Sequence, residues 1–302
     1  MTNHRYLKGD PFVNRVRITG KLTTCSPLHI GTGTLEDYEV ETKEGKKETR
    51  KKATIVTDHL GKPLIPGSSL RGVMRHWLLQ VLRPVNAQWA SFPDRDNLLE
   101  ENQQTQIEKA RSEFSWLELL FGTAFNAGKI EVWDAACQTG NLQAPDGLLH
   151  WNPTRLTYIA TSVVIDPETG TAKEKLLYNF ELVPPGVEFQ VNITGQNLSP
   201  IELGLLLLAL KGFNSQIYPI RLGARGGRGF GHMQWAMGEV YYLGRDKVSN
   251  WIEGLIQRLD DSTAAEDAGF FALPKLDAAA QDKLVKDAKA ALLQAMQEAG
   301  HV

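Results

Sequence analysis

The stretch Leu222–Trp235, LGARGGRGFGHMQW, decides whether this chain has a dinucleotide-binding fold. Five of its first ten residues are glycine. In a dinucleotide fingerprint the glycines follow a strand and open a helix, so that the pyrophosphate meets the helix-start amides. Here the glycines lead into alternating apolar residues, a pattern that predicts a strand. No acidic residue follows at the distance that a ribose would need, so the dinucleotide interpretation is excluded.

The same stretch has the chemistry of a polyanion-binding loop. Glycines let a backbone come close to a polyanion. Arg225 and Arg228 lie among them, and Arg221 directly precedes them. Their guanidinium groups are donors suited to phosphate. We therefore predict that this loop binds the phosphates of a nucleic acid.

Composition limits the class of protein. The chain has 302 residues and a formal net charge of −2, so affinity for nucleic acid must come from local basic patches. Cys25 and Cys137 are too far apart in sequence to form a metal-ligand pair or a disulfide framework. The first twelve residues contain no apolar signal core, and the run LGLLLLALKGF is too short to span a membrane. These features predict a cytoplasmic globular protein.

The first third of the chain predicts a strand, a charged excursion and a helix. Alternating apolar residues after Asn14 indicate a half-buried strand, and the charged stretch 36–52 is typical of a solvated loop or hairpin. Ser68 is expected to cap a helix whose apolar stripe continues to Val81. Arg71 and Arg75 project from one side of that helix. Together with two serine hydroxyls they form either a phosphate site or the solvated face of a core helix, and both interpretations stay open.

The remaining chain predicts further elements. Residues 84–115 are polar and indicate a surface insertion with some helix. A long hairpin is expected between 154 and 189, turning at DPETG. The stretch SPIE predicts a capping box at Ser199. Two helical segments at about 246–260 and 276–299 are expected to pack on the body or on a neighbouring subunit.

Other catalytic and cofactor motifs are missing from the sequence. No Gly-Lys-Ser/Thr ends the glycine-rich loop, so a Walker loop is excluded. The histidines are scattered singly, a pattern that rarely marks a metal site. No nucleophile elbow or Ser-His-Asp order is visible.

Four segments in this order resemble the RAMP superfamily of CRISPR-Cas proteins. They are SPLHIGTG (26–33), PLIPGSSLRGVMR (63–75), IDPETGTAKEKLLYNFELVPPGVEFQVNI (165–193) and GARGGRGFGHMQW (223–235). The second and third are most similar to the backbone subunit of type III effector complexes. The resemblance spans roughly residues 14–243, without the insertion at 84–115 and the tail beyond 246.

The resemblance implies an α+β fold with a ferredoxin-like (RRM-like) core. We expect an RNA-binding domain at 1–245, with a β-hairpin thumb at about 155–189, and a C-terminal helical extension at 246–302. The implied role is antiviral defence within a type III ribonucleoprotein complex. The implied partners are the CRISPR guide RNA, complementary target RNA, other subunits of the complex and copies of the chain itself, without a membrane partner. Binding would need no cofactor.

The resemblance also assigns residues. The guide RNA would contact the helix start, the glycine-rich loop and the turn before the second strand: His29, Gly31, Pro66, Gly67, Ser68, Ser69, Arg71, Arg75, Arg221, Arg225, Gly226, Gly227, Arg228, Gly229 and Gly231. The thumb residues expected to wedge between bases are Ile165, Thr171, Lys173 and Leu177.

Cleavage of target RNA is the open question. Family backbone subunits often use an aspartate in the loop between the first strand and IPGSS, with a divalent ion near the scissile phosphate. Counting back from IPGSS reaches Lys52, which leaves Asp37 as the nearest candidate, or else a solvated loop acid. Three hypotheses follow: a subunit that only carries the guide, a Mg²⁺- or Mn²⁺-dependent endoribonuclease using Asp37, and a guide-processing ribonuclease using His29.

Overall fold

The computed structural model describes residues 5–41, 45–90, 105, 108, 112–123, 126–143, 148, 150–165, 168, 170–257 and 273–299. The side chains at 41, 87, 164, 165 and 172–177 lie outside this description. The strands and α-helices are β1 (Asn14–Thr24), β2 (Gly31–Glu41), β3 (Lys47–Ile55), β4 (Leu64–Ile65), α1 (Gly67–Leu82), α2 (Trp116–Phe121), β5 (Ile130–Val132), β6 (Ala135–Cys137), β7 (Tyr158–Ile165), β8 (Ala172–Leu182), β9 (Glu188–Gln196), α3 (Pro200–Gly212), β10 (Met233–Gly244), α4 (Val248–Ile256) and α5 (Ala278–Glu298).

The core sheet has the ferredoxin-like order. Its strands run β10-β1-β9-β6-β4, and β5 also pairs with β9. Taken along the chain, β1, α1, β6, β9, α3 and β10 form a βαββαβ unit whose outer strand β10 pairs with β1. The ladders of β1 with β9 and with β10 are both antiparallel. This confirms the expected α+β, ferredoxin-like core.

Strand β1 lies between β10 and β9 in this sheet, and its alternating pattern buries one face. Val16, Ile18 and Leu22 are buried, whereas the residues between them are at most half-buried except for Gly20. The register with β10 shifts between Ile18 and Gly20. A side chain at Gly20 would collide with the ring of Trp235. Glycine is therefore required where this indole crosses the strand.

The helices α1, α2 and α3 contact one another and share one hydrophobic core with the sheet. Helix α1 buries Leu70, Met74, Leu78 and Leu82 at helical spacing. The predicted capping box of α3 is present: the Ser199 hydroxyl accepts from the Glu202 amide, and the Glu202 carboxylate accepts from the Ser199 amide. Local capping signals therefore set where α3 begins.

A second, four-stranded sheet carries both long excursions. Its order is β2-β3-β8-β7. Within the charged stretch, residues 36–41 of β2 pair with residues 47–52 of β3, and β7 with β8 forms the hairpin expected as the thumb. The two hairpins join by a short parallel ladder, Lys52 with Asn179 and Ala53 with Phe180.

The tail packs on the body. The Asp277 side chain caps α5 by accepting from the Ala280 amide. Ala288 of α5 lies against Gly204 of α3, where a Cβ would come within 2.9 Å of the Ala288 carbonyl oxygen. Small residues on both helices therefore permit a close crossing. No helix within the described ranges is long and apolar enough to cross a membrane.

The predicted insertion at 84–115 is not entirely a surface segment. Trp89, Ala90 and Phe114, at its two ends, are buried in the core. Residues 91–104, most of its middle, lie outside the described residues. Because the residues between its two ends are mostly polar, the sequence pattern did not reveal that the apolar residues at those ends are buried.

Candidate nucleic-acid interface

Helix α1 begins two residues earlier than its sequence predicted. Pro66 is the N-cap and provides no side-chain cap, and the Gly67 amide donates to Asp134 Oδ1 at 2.7 Å. A Cβ on Gly67 would lie 2.1 Å from the Val132 carbonyl oxygen, so only glycine fits against this strand end. The expected N-cap at Ser68 is therefore wrong, because a carboxylate from the neighbouring connection satisfies the first amide.

The first turn of α1 is still suited to an anion. It contains no acidic residue, and Ser68 is exposed while Ser69 is half-buried. Because Asp134 already accepts from Gly67, a phosphate would bind beyond it, towards these two serines. Burial lowers the pKa of Arg75 and repulsion from the neighbouring Arg71 lowers it further, while the Glu118 carboxylate raises it. A phosphate near both arginines would relieve this repulsion.

The glycine-rich loop is held against the segment 27–29. The Gly231 amide donates to the Pro27 carbonyl at 2.9 Å, and the Ala224 amide donates to the His29 carbonyl at 2.8 Å. Gly223 and Gly231 both have positive φ and would collide with backbone if they carried a Cβ. Two glycines therefore close the loop. Gly227 and Gly229 instead are exposed, with open space where a Cβ would lie.

Two arginines connect this loop to the second sheet. The Arg225 guanidinium carbon lies 3.8 Å from the ring centre of Phe180 and 4.8 Å from that of Tyr178. Arg228 Nη1 donates to the Tyr178 hydroxyl at 3.2 Å. Hydrogen bonds from Arg228 and Arg225 lower the pKa of Tyr178. Arg225 itself has φ +66°, an uncommon conformation for a residue with a side chain.

His29 anchors the glycine-rich loop through its carbonyl, which accepts from Ala224, and its side chain is buried. Its side chain is 7% exposed, and Nδ1 donates to the Glu181 carbonyl at 2.7 Å. Its ring meets Phe180 edge-on, with the ring centres 6.0 Å apart. Gly31 is needed beside it, since a Cβ there would approach His29 Nε2 to 2.9 Å. His29 therefore positions the backbone around the loop and offers RNA little surface.

A family model for the RAMP superfamily matches residues 21–234, which include both hairpins and the glycine-rich loop. This chain belongs to the RAMP superfamily. Membership implies a CRISPR-associated, RNA-binding function, since RAMP proteins generally bind CRISPR RNA and work in multi-subunit complexes. No curated protein matches the chain.

Lys52, the residue reached by counting back from IPGSS, takes part in a buried charge cluster. Lys52 Nζ lies 3.7 Å from Glu181 Oε1, and the Glu181 side chain is 1% exposed. Arg155 donates to both Glu181 oxygens at 2.8 and 3.0 Å, and the Thr157 hydroxyl donates at 2.8 Å. Arg155 and the Thr157 hydroxyl thus hydrogen-bond to the Glu181 carboxylate, and Lys52 adds a second, more distant cation.

Asp37 does not lie beside His29, where the sequence suggested it. It is exposed on β2 and pairs with Lys51. Asp37 pairs with Lys51 and Gly31 pairs with Ile55, and these two partners are four residues apart on β3. Asp37 therefore lies roughly 13 Å along the strand from Gly31. Because Lys52 pairs with Asn179, the register brings Asp37, Lys51 and Tyr178 into neighbouring positions across three strands.

A metal at Asp37 would have few protein ligands. Within the described ranges no three His, Cys, Asp or Glu side chains gather as a metal-binding group. Asp37 would supply one carboxylate, and RNA oxygens would have to supply the others. A divalent ion there would provide charge stabilisation at the scissile phosphate.

The thumb residues lie on the hairpin that the arginines contact. Ile165 ends β7 and pairs with Ala172, and Thr171 is exposed at the bend. Lys173 and Leu177 lie in β8. The side chains of Ile165, Lys173 and Leu177 are outside the described residues, so their predicted wedging stays a prediction.

The sequence did not point to Tyr178 and Phe180, the aromatic residues that Arg225 and Arg228 contact. Tyr178 and Phe180 alternate with Asn179 and Glu181 along β8, which places both rings on one face of the strand. That alternation was the available signal. It predicts an aromatic face, but not which loop would pack on it.

Proposed function

We propose that this RAMP protein is the guide-RNA-binding backbone subunit of a type III CRISPR-Cas effector complex. The observation that carries the proposal is the contact of Arg225 and Arg228 with Tyr178 of the β7–β8 hairpin. A phosphate-binding loop is thereby attached to the element that would kink a guide–target duplex. The partners would be guide RNA, target RNA, other subunits and further copies of the chain, acting in antiviral defence.

The recognition chemistry suits a subunit that carries many different guides. Helix-start amides, serine hydroxyls and arginines recognise phosphate without reading bases. The residues in that role are Ser68, Ser69, Arg71, Arg75, Arg221, Arg225, Gly227, Arg228 and Gly229, whereas the Gly67 amide is already taken by Asp134. Since the chain has a net charge of only −2, these local groups must provide the attraction.

Binding can be tested with Arg71→Ala and Arg228→Ala. We expect each change to weaken binding of single-stranded RNA about tenfold, because a charge-assisted phosphate contact is lost. The slope of log affinity against log salt should become shallower by about 0.7 per contact. Affinity is measured by fluorescence anisotropy on two unrelated RNA sequences over a salt series.

Arg245→Ala is the matched control, since Arg245 is exposed and follows the region matched by the RAMP model. It should leave both affinity and slope unchanged. A loss confined to one of the two RNA sequences would contradict phosphate recognition.

For target RNA, we propose binding without cleavage. Lys52 cannot hold a divalent ion or accept a proton while charged, and its ammonium group faces Glu181. The alternative is a metal-dependent endoribonuclease using Asp37, which the neighbouring positions of Asp37 and Lys51 on an exposed strand would favour. A guide-processing ribonuclease using His29 has less support, because His29 is buried.

The assembled complex distinguishes these alternatives. With Mg²⁺ or Mn²⁺ present, we expect bound target RNA to remain intact on a denaturing gel. Regularly spaced fragments that vanish in Asp37→Ala but persist in Glu39→Ala would establish the endoribonuclease, since Glu39 lies two residues further along β2 on the same face. Cleavage of precursor guide RNA that depends on His29 would establish the processing enzyme.

A further inference from the structure

An open groove lies between α1 and the segment that leads into the glycine-rich loop. Its volume is about 460 Å³, within the range of ligand clefts. Its walls are residues of α1 on one side and the segment 217–221 on the other: Gly72, Val73, His76, Trp77, Ile217, Tyr218, Pro219, Ile220 and Arg221. The lining is mainly apolar and aromatic, with a basic residue at one end.

The aromatic wall of the groove is built rigidly yet is accessible. Trp77 stacks on Tyr218 with an interplanar angle of 20°, and its indole nitrogen donates to the Tyr218 carbonyl at 2.8 Å. The Tyr218 amide donates to the Ser215 hydroxyl at 3.0 Å. Tyr218 nevertheless remains 48% exposed, and Ile217 beside it is 98% exposed. The Tyr218 ring is stacked on Trp77 and still open to solvent, so a flat, aromatic ligand can stack against it.

The groove continues into the interface described above. Ser68, Gly72 and His76 are exposed at four-residue spacing along α1, so the groove begins one turn after the serines of the helix start. At the other wall Arg221 leads directly into the glycine-rich loop, and a Cβ on Gly226 would lie 3.5 Å from the Arg221 side chain. A strand of RNA held at these phosphate-binding groups therefore runs past the mouth of the groove.

We propose that the groove is a nucleobase subsite, in which one unpaired base of the bound RNA stacks against Tyr218. This inference rests on the proposed RNA-binding function and adds base contacts to the phosphate contacts. Aromatic rings hold bases irrespective of sequence, because every base presents a flat π face. Arg221 and His76, at the rim, face the phosphates on either side of that base.

Two variants test the subsite by opposite means. Tyr218→Ala removes the stacking ring, and Gly72→Phe fills the groove, since there is open space where a Cβ would lie. Gln80→Phe is the matched control, because it adds the same ring to the exposed face of α1 outside the groove. Thermal unfolding checks that all three variants fold.

Anisotropy with short oligouridine over a salt series is the first measurement. We expect both groove variants to weaken binding about tenfold, as loss of one stacked base does, with the salt slope unchanged. Gln80→Phe should bind like the unmodified protein. A weaker affinity accompanied by a shallower slope would show that the groove holds phosphate, and would overturn the nucleobase assignment.

Photo-crosslinking is the second measurement. Oligouridine carrying 4-thiouridine, irradiated in complex with the protein and digested with trypsin, should label the peptide Gly212–Arg221, which lies between cleavage sites at Lys211 and Arg221. RNA binding without a label on this peptide would overturn the subsite alone. Failure of the unmodified protein to bind RNA would overturn the proposed function with it.

Discussion

Among single residues, Lys129 and Glu202 show how strongly context overrides composition. Both side chains have no exposure, and Lys129 Nζ lies 2.6 and 2.7 Å from the two carboxylate oxygens. Burial raises the pKa of Glu202 and lowers that of Lys129, while each charge counteracts the shift of the other. In sequence, Lys129 resembles any surface lysine. Glu202 was predicted only as a cap, so this pair could not be predicted from local pattern.

Removing one partner should destabilise the fold strongly. Lys129→Met leaves the Glu202 carboxylate buried without its cation, and we expect the free energy of unfolding to fall by about 3–5 kcal/mol. Urea denaturation followed by circular dichroism measures the change. Lys211→Met, at an exposed position in the last turn of α3, should shift it by less than about 0.5 kcal/mol.

A double variant separates charge from packing. Lys129→Met with Glu202→Gln removes both charges while glutamine preserves the capping box, so much of the lost stability should return. If the double variant is as unstable as Lys129→Met, the cause is lost packing and not the unpaired carboxylate.

Among the structural elements, the second sheet consists of two hairpins joined by one short parallel ladder. Only Lys52 and Ala53 of β3 pair with β8. Glu181 strengthens this junction through Arg155 on one side and Lys52 on the other. The Asn179 amide adds a hydrogen bond to the Lys51 carbonyl at 3.1 Å. The base of the β7–β8 hairpin is therefore tied to the body.

The tip of that hairpin should be dispensable for folding. Shortening the hairpin at PETG (167–170) should leave the cooperative unfolding transition in place, with guide RNA affinity unchanged, because Glu168 and Gly170 are exposed. Target pairing in the assembled complex should change. Thermal denaturation and the two binding assays are the measurements.

Tyr178→Ala provides the contrast within the same strand. It removes the ring near Arg225 and the hydroxyl that Arg228 contacts, so guide binding should weaken while the hairpin stays folded. Loss of cooperative unfolding on trimming only the tip would show that the tip belongs to the core.

Across the whole molecule, features that depend on residues close together in sequence were predicted, whereas contacts between residues far apart in sequence were not. The buried face of β1, the stripe of α1 and the caps at Ser199 and Asp277 depend on residues a few positions apart, and they were predicted. Asp134 reaches Gly67 across 67 positions, and Arg228 reaches Tyr178 across 50. No local pattern encodes such contacts. The family resemblance supplied the overall architecture but not these contacts, which shape the interface.

The ladder between β1 and β10 has a consequence for biosynthesis. Thr19 and Glu239, which exchange hydrogen bonds across this ladder, are 220 residues apart. Strand β1 therefore cannot pair with β10 until the chain has been synthesised that far. A ribosome extends the chain from the amino end at about 5–20 residues per second, so β1 waits on the order of ten seconds or more for that partner. The glycine-rich loop directly precedes β10 and is anchored to Pro27 and His29. The start of α1 is therefore synthesised long before the glycine-rich loop, and the two parts of the candidate interface can come together only after residue 231 has been made.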